Sequence, residues 1–421
     1  MQRSNTVWIL MVFFSIATFC CSMVRAAEST GPGTTENAKA VAEDNSFGVD
    51  LYASLAKTNN GNAFFSPYSI RTILTMTFAG ARGNTATQMN SVLHLGTVPR
   101  EQLHSAFSSL FKSLNTKDAN YDLTVANALW GQSGYAFQWD FQDLLQRRYG
   151  ANLHELNFAR AAEPARLEIN EWVERQTHEK IKDLLAKGAV DDATRLVLTS
   201  AIYFKGIWDE PFHKEQTRQE PFHLDPNHDL QTSMMHHGVS TLKYLGTDQF
   251  QAVELPYEGG ELSMVLIVPR TIDGLAAIQK ELTSDGLKQW LAKMKNVRVV
   301  LAMPKFTMTR ALDLREVLKK MGIVDAFDRD RADFSGMLMP TERETRPPFI
   351  SQVIHKAFVD VDEEGTEAAA ATAVVVALGA IIERPVPPPM VVTADRPFLF
   401  LIRHRDSGVI LFLGRLVDPR G

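Results

Sequence analysis

The sequence predicts an α+β fold built as one large domain. Helical patterns dominate the first half of the chain and strand patterns the second, whereas a parallel α/β enzyme would alternate them. No internal repeat, low-complexity linker or charge block interrupts residues 40–420, so we expect a single domain over 41–421. With 421 residues, 45% of them hydrophobic, the chain can bury a large core.

The first 26 residues have the pattern of a secretory signal peptide. Arg3 is positive, the stretch 7–21 is almost wholly apolar, and small residues up to Ala26 predict cleavage after that residue. The apolar stretch is shorter than the ~20 residues that span a bilayer, which disfavours a membrane anchor. Residues 27–40 then form a leader that we expect to be disordered. We therefore expect a secreted protein that does not bind a membrane once the signal is removed.

Composition excludes several functions. Both cysteines, Cys20 and Cys21, lie inside the predicted signal, so the mature chain has no disulfide, catalytic thiol or cysteine metal ligand. No Asn-X-Ser/Thr site for N-glycosylation occurs. An exported chain with neither disulfides nor such sites favours a bacterial source. In a bacterium, the periplasm is an alternative destination. The net charge of −5 and the scattered Lys and Arg argue against a nucleic-acid partner.

Apolar spacing predicts helices mainly before residue 190. A helix is expected over 37–55, and Ser66-Pro67 begins the next one, because Ser caps free N–H groups and Pro fits the first turn. Thr85 to Gln88 has the pattern of a capping box. Further helices are predicted at 101–114, 137–148, 164–185, 273–294 and 312–321.

Strands are predicted through the rest of the chain. The run at 195–204 is apolar on both faces, which indicates a central strand that is covered on both sides. The other predicted strands are 122–130, 252–256, 262–268, 297–306, 353–361, 391–402 and 409–416.

The sequence indicates no catalytic centre, no cofactor and no metal site. His236 and His237 are adjacent, and neighbours on a strand point to opposite faces, so they do not easily share an ion. Glu363 and Glu364 are also adjacent, which favours a solvated charge pair over paired catalytic carboxylates.

The segment from Gly365 to Ile382 has no ordinary explanation. It contains one charge, Glu367, and no proline, and its uncharged part is too short to span a membrane. Alanine would favour a buried helix, but the run of valines and Thr372 favours a strand. As a strand, 366, 368, 370, 372, 374 and 376 share one face, and every N–H is free to join a sheet. A free strand of this kind is an aggregation hazard. A protein would therefore keep one exposed only if insertion into a sheet were its purpose.

Residues 359–372 (VDVDEEGTEAAAAT) resemble the hinge of inhibitory serpins. That family's pattern E-E-G-T-E-A-A-A-A-T matches without a gap, and Asp362, where Asn is commoner, is a departure beside it. The matching residues are Glu363, Glu364, Gly365, Thr366, Glu367, Ala368, Ala369, Ala370, Ala371 and Thr372. Other segments resemble serpin motifs in family order: 62–70, 169–173, 203–208, 254–257, 303–306, 333–336, 355–357 and 395–400.

The resemblance implies a serpin fold with three β-sheets, about nine helices and an exposed reactive-centre loop at about 363–395. It implies a serine-protease inhibitor that traps the acyl-enzyme covalently when its cut loop inserts into the main sheet, a known form of strand addition. It also implies shutter and breach positions at Ser66, Pro67, Asn170, Trp208 and His355. We expect a monomer with a loop–sheet polymerisation hazard, and the alternative function is a non-inhibitory carrier or chaperone.

The family spacing from Glu363 places the reactive bond at Gly379–Ala380. Glycine fills no primary pocket of a protease, so Leu378 and Ile381 mark nearby alternatives for the bond. These residues favour elastase-, subtilisin- or chymotrypsin-like targets.

Overall fold

The computed structural model describes residues 45–114, 120–342, 348–366 and 387–421. The predicted signal peptide and leader lie outside these ranges. The helices of the described part are 45–56 (α1), Pro67–Phe78 (α2), Gly83–Val92 (α3), Arg100–Leu114 (α4), Trp139–Tyr149 (α5), Phe158–Gln176 (α6), Leu275–Glu281 (α7), Ser284–Lys293 (α8) and Arg315–Met321 (α9).

The strands complete an α+β fold, as predicted. They are Ala63–Phe65 (β1), Tyr121–Gln132 (β2), Leu153–Leu156 (β3), Leu196–Ile207 (β4), Arg218–Asp225 (β5), His228–Gly246 (β6), Phe250–Pro256 (β7), Leu262–Pro269 (β8), Lys295–Pro304 (β9), Phe306–Asp313 (β10), Ile350–Val361 (β11), Gly365–Thr366 (β12), Met390–Thr393 (β13), Phe398–His404 (β14) and Ile410–Leu416 (β15).

Hydrogen bonding joins these strands into two sheets. The six-stranded sheet has the order β10-β11-β12-β4-β2-β3, and the nine-stranded sheet runs β1-β15-β14-β8-β7-β6-β9-β13 with β5 paired to β6. Three sheets were expected. Two of them are continuous here because β6, 19 residues long, pairs with β5, β7 and β9.

The centre of the six-stranded sheet is a direct parallel pairing of β11 with β4, which we call the seam. It joins Ile350–Phe358 to Leu196–Tyr203. Helix α6 packs on one face of this sheet with Ile169, Val173, Ala201 and Ile354 in a common apolar cluster. Helix α2 lies against the other face and also contacts β15 of the nine-stranded sheet. The seam is therefore covered on both sides, as the apolar run at 195–204 predicted.

Several predicted boundaries are wrong for local reasons. Helix α3 begins at Gly83, and Thr85 does not cap it because its hydroxyl accepts a hydrogen bond from the Asp333 N–H instead. Helix α6 begins early, at Phe158, and tolerates Pro164 because the helix kinks at Ala161.

Two long predicted elements are each divided in the structure. The predicted helix 273–294 is two helices, since the Thr283 side chain caps a new helix by accepting from the Gly286 N–H. The predicted strand 391–402 is two strands, which belong to different parts of the nine-stranded sheet and flank Pro397. The β5–β6 hairpin was not predicted.

Candidate functional site

The chain reverses direction at the end of β11 and returns into the six-stranded sheet. Oδ1 of Asp362 accepts hydrogen bonds from the backbone N–H groups of Glu364 (2.9 Å) and Gly365 (3.2 Å), a side-chain contact typical of turns. Gly365 and Thr366 then run antiparallel to both β11 and β4. The predicted hinge therefore begins between the two strands of the seam, at the end where they separate.

Gly365 is required by this close approach. A Cβ built on it would lie 2.1 Å from the backbone oxygen of Gly206 and 2.7 Å from Cα of Ile207, both in β4. No side chain fits in that space, so the glycine is needed for β12 to dock.

Thr366 is fully buried and is held through its side chain. Its Oγ1 forms a hydrogen bond of 2.8 Å with the hydroxyl of Tyr257. The Tyr257 ring stacks on Trp208, with the ring centroids 4.5 Å apart and the planes at 12°. The indole Nε1 of Trp208 donates to the carbonyl of Asp362 (3.0 Å), so Trp208 contacts the hinge turn.

Glu363 is a buried member of an ion pair, and its prediction as half of a solvated charge pair is wrong. Its carboxylate accepts hydrogen bonds from Nζ of Lys305 and Oγ1 of Thr217, each at 2.7 Å. Burial alone would raise the pKa of Glu363, but the hydrogen bonds from Lys305 and Thr217 outweigh it and lower the pKa below its ordinary value. Glu364 is half-buried and pairs with Lys214.

Two backbone hydrogen bonds attach the same turn to the segment after β4. The N–H of Phe212 donates to the carbonyl of Glu363 (2.8 Å), and the N–H of Trp208 donates to the carbonyl of Glu364 (2.9 Å). The turn is thus fixed by side chains and backbone together.

Ser66 and Pro67 form the predicted start of α2. The Ser66 side chain accepts from the N–H of Ser69 (3.0 Å), and Pro67 occupies the first turn. This capped end of the helix faces the seam.

His355 connects Ser66 to a buried chain of hydrogen bonds beneath the seam. Its Nε2 accepts from the Ser66 N–H (3.0 Å), so the neutral ring carries its proton on Nδ1 and donates to Oγ of Ser200 (2.9 Å). Ser200 then donates to Ser69 (2.9 Å), and Ser69 donates to Oδ1 of Asn127 (2.9 Å). Burial lowers the pKa of His355 to about 3, which keeps the ring neutral and this donor order fixed.

Asn170 lies on the opposite face of the sheet from His355. It holds the segment after α6 by a pair of hydrogen bonds with the backbone of Leu185, donating to the carbonyl (3.0 Å) and accepting from the N–H (2.8 Å). The structure therefore does not bring Asn170 together with Ser66 and His355.

The remaining predicted site residues lie outside the described residues. These are hinge positions 367–372 and the reactive-bond positions Leu378, Gly379, Ala380 and Ile381. Among the residues that are described, no three His, Cys, Asp or Glu side chains are arranged to hold a metal. No helix of the described ranges is long and apolar enough to cross a membrane.

His236 and His237 diverge, as their adjacency predicted. Nε2 of His236 lies 3.0 Å from Glu220, while Nε2 of His237 lies 2.9 Å from the carbonyl of Glu210.

Sequence reasoning did not connect Lys305, Thr217, Tyr257 or Ser200 with the hinge or with His355. The first three stand in or beside segments that resemble family motifs. Their contacts with the hinge join positions 58 to 146 residues apart, so one sequence does not reveal them.

Comparison with known proteins identifies the fold and its class. Residues 42–419 match the family described as Serpin (serine protease inhibitor). Leukocyte elastase inhibitor of Equus caballus is 44% identical over 382 residues, covering 89% of this chain and 97% of the relative, and that of Homo sapiens is 42% identical with the same coverage. Serpin B6 of Pongo abelii is 40% identical over 378 residues, again covering 89% and 97%.

Solved structures of other proteins share the fold of this chain. The structure of Serpin48, a highly specific serpin in the insect Tenebrio molitor, has a TM-score of 0.80 at 30% identity and covers 91% of this chain and 98% of its own. The structure of human thyroxine-binding globulin complexed with thyroine has a TM-score of 0.82 at 28% identity and covers 92% of this chain and 100% of its own.

The chain therefore belongs to the serpin family. It is a serine protease inhibitor and not an enzyme. The predicted serpin fold is confirmed, while the bacterial source stays a prediction.

Proposed function

We propose that this chain is an exported suicide-substrate inhibitor of serine proteases. The observation that carries the proposal is β12, in which the hinge pairs with β11 on one side and β4 on the other. Because β12 runs antiparallel to β4, a strand that continues from Thr366 would separate the seam toward Leu196 and Ile350.

The lengths of the strands suit this insertion. β11 and β4 have 12 residues each, and an equal strand starting at Gly365 would use residues 365–376. That segment has no proline, so it can donate every backbone N–H to its neighbours. The stretch 365–378 would extend about 46 Å at ~3.3 Å per residue. That distance carries an enzyme attached near Gly379 from one end of the sheet toward the other.

The trapping reaction begins as ordinary proteolysis. The protease serine attacks the carbonyl carbon of Gly379, the bond to the Ala380 nitrogen breaks, and that nitrogen leaves as an amine while the serine ester remains. Insertion then moves the esterified residue with the enzyme, whose distorted site no longer hydrolyses the ester. The apolar residues 378–381 suit an elastase-, subtilisin- or chymotrypsin-like pocket, and similarity to leukocyte elastase inhibitors supports the first of these.

Incubation with elastase, subtilisin, chymotrypsin and trypsin tests the proposal. We expect a covalent complex that survives denaturation with at least one of the first three enzymes. If all four enzymes cleave the chain and none forms a covalent complex, the carrier or chaperone alternative is favoured instead.

Mass spectrometry of the C-terminal fragment released from the complex locates the bond. A fragment beginning at Ala380 supports the family spacing, and one beginning at Gly379 or Ile381 moves the bond by one residue. A fragment beginning at Pro385 would place Arg384 in the pocket and overturn the proposed specificity.

Export is supported by the sequence of residues 1–26. Expression of the full chain in a secreting host should deliver a protein to the medium or periplasm whose first residue is Ala27. Retention of the intact amino terminus inside the cell would contradict this part of the proposal.

A further inference from the structure

Tyr257 connects the two sheets at the point where the hinge docks. It directly follows β7 of the nine-stranded sheet, yet its ring stacks on Trp208 just beyond β4 and meets Phe204 edge-on at 5.0 Å and 77°. Its side chain is fully buried. Two aromatic neighbours therefore hold the ring in one orientation and direct its hydroxyl at the hinge.

The hydroxyl forms its 2.8 Å hydrogen bond with the side chain of Thr366, which is also fully buried. Backbone pairing is the same for every residue and does not by itself define which hinge residue lies opposite β4. A slip by one residue would place Gly365, which has no hydroxyl, or the charged Glu367 at this position. The bond to Tyr257 consequently distinguishes the observed register from its neighbours.

We propose that Tyr257 is a positioning residue for inhibition, which holds Thr366 in the register from which the loop inserts. The consequence for inhibition rests on the proposed function above. The bond exists before the loop is cut, so insertion starts from a defined first pair. Because Tyr257 is buried, its loss should change the fate of the acyl-enzyme and not recognition by the protease.

Amide hydrogen exchange of the uncomplexed protein tests the bond directly. In Tyr257→Phe and in Thr366→Val, amides of residues 359–366 should exchange about five- to tenfold faster than in the wild type, since a buried polar group loses its partner. Thr366→Ser keeps the hydroxyl and should exchange like the wild type. The matched control is Tyr52→Phe, which removes another buried tyrosine hydroxyl, bonded to Gln279, far along the chain from the hinge.

Inhibition provides the second measurement. We expect Tyr257→Phe and Thr366→Val to consume about two to five times more inhibitor per trapped protease, with an association rate constant within about twofold of the wild type. Tyr52→Phe and Thr366→Ser should leave both values unchanged.

Unchanged exchange in both Tyr257→Phe and Thr366→Val overturns the proposal, and so does Thr366→Ser behaving like Thr366→Val. If Tyr257→Phe does not fold, the Thr366 pair decides the question alone. A wild type that traps no protease would overturn the proposed function, whereas the exchange measurement would still decide whether Tyr257 fixes the hinge.

Discussion

Replacement of Gly365 by alanine should expel the hinge from the seam. The added Cβ would lie 2.1 Å from the backbone oxygen of Gly206, whereas carbon–oxygen contacts are ordinarily about 3.3 Å or longer. One partner would have to move by more than about 1 Å. Gly206 is paired on its other side with Tyr121 of β2, so β4 is held in place and β12 is the part that leaves.

The magnitude follows from the contacts that β12 gives up. It loses backbone pairing to β11, backbone pairing to β4 and the hydrogen bond between Thr366 and Tyr257. At a net value of about 1 kcal/mol each, the docked hinge is destabilised by about 3 kcal/mol, which is about a hundredfold in its population.

The assay is the stoichiometry of inhibition, read together with a denaturing gel. Gly365→Ala should turn the inhibitor largely into a substrate, with at least about a tenfold rise in the inhibitor consumed per trapped protease. Gly238→Ala is the matched control, because the nearest atom to its Cβ would be Nε2 of His213 at 4.0 Å. Unchanged stoichiometry in Gly365→Ala would refute the reasoning, since the loop would then insert without docking at β12.

Three further outcomes are expected. Lys305→Met leaves the Glu363 carboxylate buried without its cation, so urea unfolding at neutral pH should show a loss of about 1–3 kcal/mol. The depressed pKa of Glu363 supplies stability above the ordinary carboxyl pKa, so the difference in unfolding free energy between the wild type and Lys305→Met should shrink as pH falls below about 4.5. A difference that stays constant with pH would contradict this prediction. His355 in the unfolded chain is protonated below about pH 6.5, whereas the buried ring of the folded protein has a pKa of about 3 and stays neutral down to that pH. Stability should therefore fall over that window by at most about 5 kcal/mol, and His355→Gln, compared by acid unfolding, should lose this slope. Nicking between Leu378 and Ile381 should raise the melting temperature by about 20 °C through the added strand, and equal melting temperatures would favour the non-inhibitory alternative.

Local signals predicted much of the fold. Ser66-Pro67 places the start of α2 correctly because capping uses atoms within one turn. The apolar run at 195–204 lies in β4 from Leu196 onward, since a strand covered on both faces needs no polar alternation. Thr85 shows the limit: its hydroxyl is used by Asp333, 248 residues away, and a distant partner overrides a local motif.

The candidate site was predicted less completely, because its contacts are long-range. The hinge was predicted from its pattern, but the burial of Glu363 depends on Lys305 and Thr217, which one sequence cannot pair with it. Likewise, nothing in the local sequence of Tyr257 indicates that its hydroxyl meets Thr366, 109 residues further on.

The geometry of the seam suggests that different positions control the rate of loop insertion and the stability of the finished complex. In the proposed insertion, each residue that enters would exchange one parallel pairing between β11 and β4 for two antiparallel ones, so the gain would accumulate with strand length and would be smallest at the first steps. Substitutions near Thr366 should accordingly act on how quickly the loop inserts once the acyl-enzyme has formed. Substitutions at the far end, near Leu196 and Ile350, should act on how long the finished complex lasts.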